Sequence, residues 1–188
     1  MKDKKILAIL FLGLLSFKPA NFSDDFKIKT ETFLKKYEKD YSNSNETLPA
    51  NGYQRTLDET KHSWIKKETL KSKKSFINLY DQVAYQRLYF AFYEYPNEET
   101  AKAAWNRLAT CFPLMCDSVI TRKYIKVLQT IPAVYIFNNS EIITCHVSCE
   151  QEFENWKNIQ EDIVKTFSDS LSKVIITGCG GPLEWKQF

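Results

Sequence analysis

The stretch from Ala84 to Tyr95 alternates with a period of two. Its even positions carry Leu88, Phe90 and Phe92. Its odd positions carry Tyr85, Arg87, Tyr89, Ala91, Tyr93 and Tyr95. Successive strand side chains point to opposite faces, so one face is purely apolar and the other is rich in tyrosine with one arginine. The Leu/Phe face reads as the core beneath the helices. After Pro96 the period lengthens. Asn97 is placed to cap a helix, and Glu98 and Glu99 sit where carboxylates meet the positive end of the helix dipole. Ala101, Ala104, Trp105 and Leu108 then follow at helical spacing, and the helix is expected to end near Thr110.

The same change of period recurs downstream. Ala133 to Asn138 and Glu141 to Cys149 read as two strands joined by a hairpin turn at Asn138-Asn139-Ser140. In the second strand Ile143, Cys145 and Val147 share one face, and Ile142, Thr144 and His146 share the other. Phe153, Trp156, Ile159, Ile163 and Phe167 form the apolar stripe of a helix from about Gln151 to Ser168. Lys173 to Thr177 reads as a last strand, and Val119 to Gln129 as partly extended. Upstream, Phe26, Thr30, Phe33, Leu34 and Tyr37 predict a helix over Asp24 to Tyr41, broken by Ser42-Asn43-Ser44-Asn45. Leu57 to Leu70 fits either a weak helix or an irregular wrap, and Ser75 to Tyr80 a short strand.

From Ala84 onward the order is strand, helix, strand, strand, helix, strand. That is the split β-α-β order of the ferredoxin-like fold. The expected architecture is α+β: an antiparallel sheet with two helices on one face and an N-terminal helical extension. The expected division is a signal peptide over 1–20, an N-terminal helix and wrap over 21–72, and the α+β domain over 73–188. Element order of this kind carries no function with it.

Composition changes the picture at three points. Net charge is only +3, from 26 basic and 23 acidic residues, too weak a bias for nucleic acid or an anionic membrane as partner. Met1-Lys2-Asp3-Lys4-Lys5 followed by the uncharged run Ile6 to Leu15 has the form of a secretory leader. It is shorter than the roughly 20 residues a spanning helix needs, so no integral membrane segment is expected after its removal. The expected location is therefore exported, periplasmic or secreted. There the five cysteines would tend to pair, leaving one over.

Three of the five glycines fall in Gly178-Cys179-Gly180-Gly181, which reads as a tight turn after the last strand. The expected bridges are Cys149–Cys179 and Cys111–Cys116, with Cys145 buried and unpaired. A rival pairing puts Cys145 in place of Cys149. Strand alternation separates Cys145 from His146, which argues against both a metal set and a nucleophile–base pair there. No metal, cofactor or catalytic residue is expected.

The remaining candidate is the tyrosine face: Tyr85, Arg87, Tyr89 and Tyr93, with Tyr135 and His146 on neighbouring strands. An exposed aromatic sheet can bind a ligand or partner. Burial beneath the segment from Asp24 onward is the competing use of that face. The sequence thus points to an exported, disulfide-stabilised, non-catalytic interaction module, binding a protein or small ligand through that face or the cleft beside Gly178 to Trp185. The alternative is a small enzyme or thiol-redox protein using Cys145 or the Cys149/Cys179 pair.

Overall fold

A computed structural model of the chain describes residues 22–46, 52–78, 80–114, 131–151 and 154–187. The expected leader over 1–20, the stretch Val119 to Gln129, Phe153 and Cys116 with its bridge to Cys111 lie outside the described residues.

The elements are α1 (Phe22–Lys35), β1 (Tyr41–Ser44), α2 (Gly52–Asp58), β2 (Trp64–Ile77), β3 (Val83–Glu94), α3 (Glu98–Leu114), β4 (Ala133–Asn138), β5 (Glu141–His146), a 3-10 turn (Cys149–Gln151), α4 (Glu154–Phe167), β6 (Lys173–Gly178) and β7 (Gly181–Gln187). The segment Leu57 to Leu70, read as weak helix or wrap, holds the end of α2 and the first half of the 14-residue strand β2, which also absorbs most of the short strand expected at Ser75. The segment read as a break after α1 forms the short edge strand β1. Asn97 Oδ1 accepts the Thr100 backbone N–H at 2.8 Å, which caps α3.

The strands form one antiparallel sheet in the order β1-β2-β3-β5-β4-β6-β7. This corrects the ferredoxin-like expectation. In that fold the last strand of the split unit, here β6, would lie beside β3. The edge of β3 is instead occupied by β2, in register from Trp64↔Glu94 to Ile77↔Val83. β6 pairs with β4, from Ala133↔Thr177 to Phe137↔Lys173.

The new order moves the helices. The β3-α3-β4 and β5-α4-β6 crossovers both step two strands in the same direction across the sheet. β3 and β5 run antiparallel, so crossovers of the same right-handed sense must lie on opposite faces. One face carries α1 and α4 over Leu88, Phe90, Phe92, Ile143 and Cys145. The other carries α2 and α3 over Ala91, Tyr93, Tyr95, Tyr135 and Ile142. Two helices on one face is thus replaced by helices on both faces.

The glycine-rich turn leads into a further strand. Gly180 takes φ +65 between β6 and β7, a left-handed conformation that suits a residue without Cβ. No helix among the described residues is long and apolar enough to cross a membrane.

The two faces predict two independent cores. Trp105 on α3 and Trp156 on α4 are both buried, on opposite sides of the sheet. Trp105→Ala and Trp156→Ala should each cost about 3–5 kcal/mol, read from the urea midpoint by circular dichroism. A near-neutral result for either would mean its face is not core.

Candidate functional site

The tyrosine face is covered rather than open. Tyr93, Tyr135 and His146 are buried. The Tyr93 hydroxyl donates to Asp58 Oδ1 at 2.9 Å, and the Tyr95 hydroxyl to the Leu57 carbonyl at 3.4 Å, so α2 supplies partners for both phenols. Burial, with Asp58 beside it, pushes the Tyr93 phenol well above its ordinary range. Tyr85, Arg87 and Tyr89 lie at the far end of the strand, half-buried. Arg87 is gripped through Nε and Nη2 by the two oxygens of Glu46. Tyr89 stacks on His146 at 4.9 Å between ring centroids, as their register pairing allows. Burial alone pushes the His146 imidazole down to about 4.

The cysteines separate cleanly. Cys149 and Cys179 are bonded, with Cα atoms 5.3 Å apart. β5 and β6 run parallel with β4 between them. Ala133 at the start of β4 pairs with both His146 and Thr177, so the two strand ends meet at one edge. The strand start between the sulfurs is therefore that of β4 and not, as the ferredoxin-like order implied, that of β3. Cys145 is free and buried in the α1/α4 core, and burial pushes its thiol well up. His146 packs against Tyr89 in the opposite layer, so the two cannot act together. No group of three His, Cys, Asp or Glu residues able to hold a metal occurs among the described residues.

A different site lies on the α1/α4 side. α1 stops at Lys35, and β1 pairs with β2 only over Thr69 to Ser72. Between Lys71 and Ser75 the register of β2 against β3 shifts through a bulge. These three endings leave an open groove of about 580 Å³ between the chain after α1, the bulge, Gln86 of β3 and the outer side of α4.

Its floor is a cluster of polar side chains. The Tyr41 hydroxyl donates to Gln86 Oε1 at 2.5 Å, and Asn155 Nδ2 donates to the same oxygen at 3.1 Å. The Gln86 backbone N–H donates to Ser72 Oγ at 2.9 Å. Both lone pairs of Gln86 Oε1 are thereby used, while its Nε2 is buried without a hydrogen-bond partner.

On one wall Asp162 accepts from Lys36 Nζ at 3.1 Å and from the Tyr37 hydroxyl at 3.2 Å. Burial, then the Asp162 charge, pushes the Tyr37 phenol up, and burial does the same to Tyr41. Both therefore remain hydroxyls at neutral pH. The charged side chains lining the groove are Lys36 and Lys74 against Asp40 and Asp162, so the charges cancel.

None of these residues stood out in the sequence. Gln86 left the one available sign. It occupies the even-numbered face otherwise held by Leu88, Phe90 and Phe92, where a polar side chain needs a reason. Comparison with protein-family models, with curated proteins and with solved structures found no match.

Two outcomes follow for this region. The double substitution Cys149→Ser/Cys179→Ser should lower unfolding stability by about 3–4 kcal/mol, given the loop the bond closes, and maleimide mapping should label Cys145 only after unfolding. His146 sets a pH dependence. Its folded value lies below the unfolded value of about 6.5, so its own contribution is full above that pH and falls between about 6.5 and 4, by about 3 kcal/mol. Glu141, raised to about 7 chiefly by burial, works in the opposite sense, its contribution falling as pH rises from about 4.5 to 7. Because the two oppose each other between about 4.5 and 6.5, the His146 contribution is read as the stability difference between wild type and His146→Gln in urea titrations; that difference should change across the window, and a pH-independent difference would contradict the assignment.

Proposed function

We propose that this chain is an exported, disulfide-stabilised, non-catalytic binding module. Its ligand seat is the groove between the end of α1, the β2 bulge and α4, and its ligand is a small neutral polyol of the saccharide class. The observation that carries this is the Tyr41–Gln86–Asn155 cluster, with one buried amide N–H left unsatisfied beside an open groove. An unpaired buried polar group costs about 1–3 kcal/mol, and each such group in a native structure calls for an explanation. A ligand oxygen brought to the groove, with a small turn of the amide, supplies the missing acceptor.

Further features support the same ligand class. The volume falls in the usual range for small-molecule sites. The cancelling charges favour neither anion nor cation. Amides and hydroxyls both donate and accept, as sugar hydroxyls do, and Tyr37 and Phe76 add apolar ring surface. The Cys149–Cys179 bond and the leader-like N-terminus support export. Of the thiol-redox alternative, the Cys145 route is weakened because burial pushes that thiol well up.

The test is calorimetric titration of the oxidised protein with a panel of mono- and oligosaccharides, with thermal shift alongside. At least one member should bind, and Asn155→Ala should weaken it about tenfold through the lost amide contact. Absence of binding across the panel at millimolar concentration, or binding indifferent to Asn155→Ala, would remove the groove as ligand seat. Release of new reducing ends would replace a binding module with an enzyme.

A further inference from the structure

The β2–β3 hairpin outruns the sheet on both flanks. β1 pairs with β2 only up to Ser72, and β5 pairs with β3 only from Tyr89 onward. The pairs Ser75↔Tyr85, Phe76↔Ala84 and Ile77↔Val83 therefore form a two-stranded arm with no third strand among the described residues. A bare two-stranded ribbon is marginal in water. The turn of this one is firmly built: Asn78 N–H donates to the Gln82 carbonyl at 2.9 Å. Asn78 Oδ1 also accepts the Tyr80 and Gln82 N–H groups, each at 2.9 Å.

The arm concentrates exposed apolar surface. Ile77, Tyr80 and Val83 are 60%, 71% and 65% exposed, and they are three of the five large exposed hydrophobics among the described residues. Ile77 and Val83 are cross-strand neighbours, so they form one patch. Among the described residues the outer edge of the arm carries no further strand. Asn78 and Gln82 are a hydrogen-bonded pair, so alternation turns the N–H and C=O of Ser75 and Ile77 away from β3. Unpaired strand groups of this kind are a template for a further strand.

Charge selects the occupant. Lys73 and Lys74 lie exposed beside this edge. Lys73 Nζ is held by the Glu38 and Lys39 carbonyls, which leaves Lys74 as the cation toward a partner. Within the hairpin between Lys71 and Leu88 the only carboxylate is Asp81, out in the turn. A second copy would bring a second basic arm to this edge, with its lysines aligned on these if the strands ran parallel and Lys74 set opposite Asn78 if they ran antiparallel, and would neutralise neither. An acidic strand has no such conflict.

We propose that the outer edge of β2 at Ser75–Ile77 adds one strand from a partner protein, an extended segment in which acidic residues alternate with apolar ones. The acidic residues face Lys74 and the apolar ones share the face of Ile77 and Val83. The edge borders the groove and shares Lys74, Ser75 and Phe76 with its lining, but strand addition does not require a saccharide bound there.

The probe is a displayed library of random peptides of about ten residues, the length of a strand, selected on the intact oxidised protein. Winners should alternate Asp or Glu with aliphatic or aromatic residues. By fluorescence anisotropy, Ile77→Pro should weaken a winning peptide about tenfold, because it removes an outward N–H that the β2–β3 ladder does not use. Lys74→Glu offers a second reading that leaves the backbone intact. It should weaken the acidic peptide and strengthen its lysine-substituted counterpart.

Several results would overturn the proposal. These are winners without the acidic–apolar alternation, or winners indifferent to both substitutions. A concentration-dependent dimer abolished by Ile77→Pro would do the same by making the occupant a second copy. Co-sedimentation with phosphatidylglycerol vesicles, lost in Lys74→Glu and without peptide selectivity, would make it a membrane surface.

Discussion

The ladder between β2 and β3 decides the rest of this architecture. It runs from Trp64↔Glu94 to Ile77↔Val83 and fills one edge of β3. With that edge taken, β6 has only the free side of β4, and the second crossover must step in the same direction as the first. The helices then divide between two faces, and the sheet acquires two cores where a two-layer fold would have one. The length of the ladder also makes the arm, and its bulge opens the groove. One strand pairing thus sets the strand order, the layering and both candidate interaction surfaces.

The two cores are built differently. The α1/α4 side is a lattice of rings: Phe33 lies 5.0 Å from Phe167 and 5.8 Å from Phe90, both edge-on, an arrangement favoured by ring quadrupoles. The α2/α3 side buries tyrosines, whose hydroxyls need partners once water is gone. Asp58 and the Leu57 carbonyl at the end of α2 supply them. A tyrosine-rich strand face therefore does not mark solvent by itself. It also fits beneath a helix that ends in a carboxylate.

The elements with strong local periodicity were legible. β3, α3, the β4–β5 hairpin, α4 and β6 stand close to where the spacing of apolar residues placed them. The paired cysteines at the ends of β5 and β6 are joined. β2 was not legible because its lysines at 66, 67, 71, 73 and 74 dilute the alternation, and only Thr69 and Leu70 of the strand are buried. Strand order was misjudged for a related reason: it depends on which edges are already filled, a long-range property absent from any local window. The groove escaped notice because Tyr41, Gln86 and Asn155 come from three distant segments, each unremarkable alone. β7 was hidden by its glycines, which announced a bend and not the strand after it.

The Cys149–Cys179 bond distributes stiffness unevenly through the molecule. It joins two points 30 residues apart and encloses the whole of α4 and β6 within one ring. The entry to α4 is therefore anchored six residues before Asn155. The β2–β3 arm lies at the same end of the sheet but outside that ring. The groove is consequently walled on one side by a helix within a covalent ring and on the other by a two-stranded arm outside it. Amide exchange should be slower in α4 than in the arm facing it across the groove.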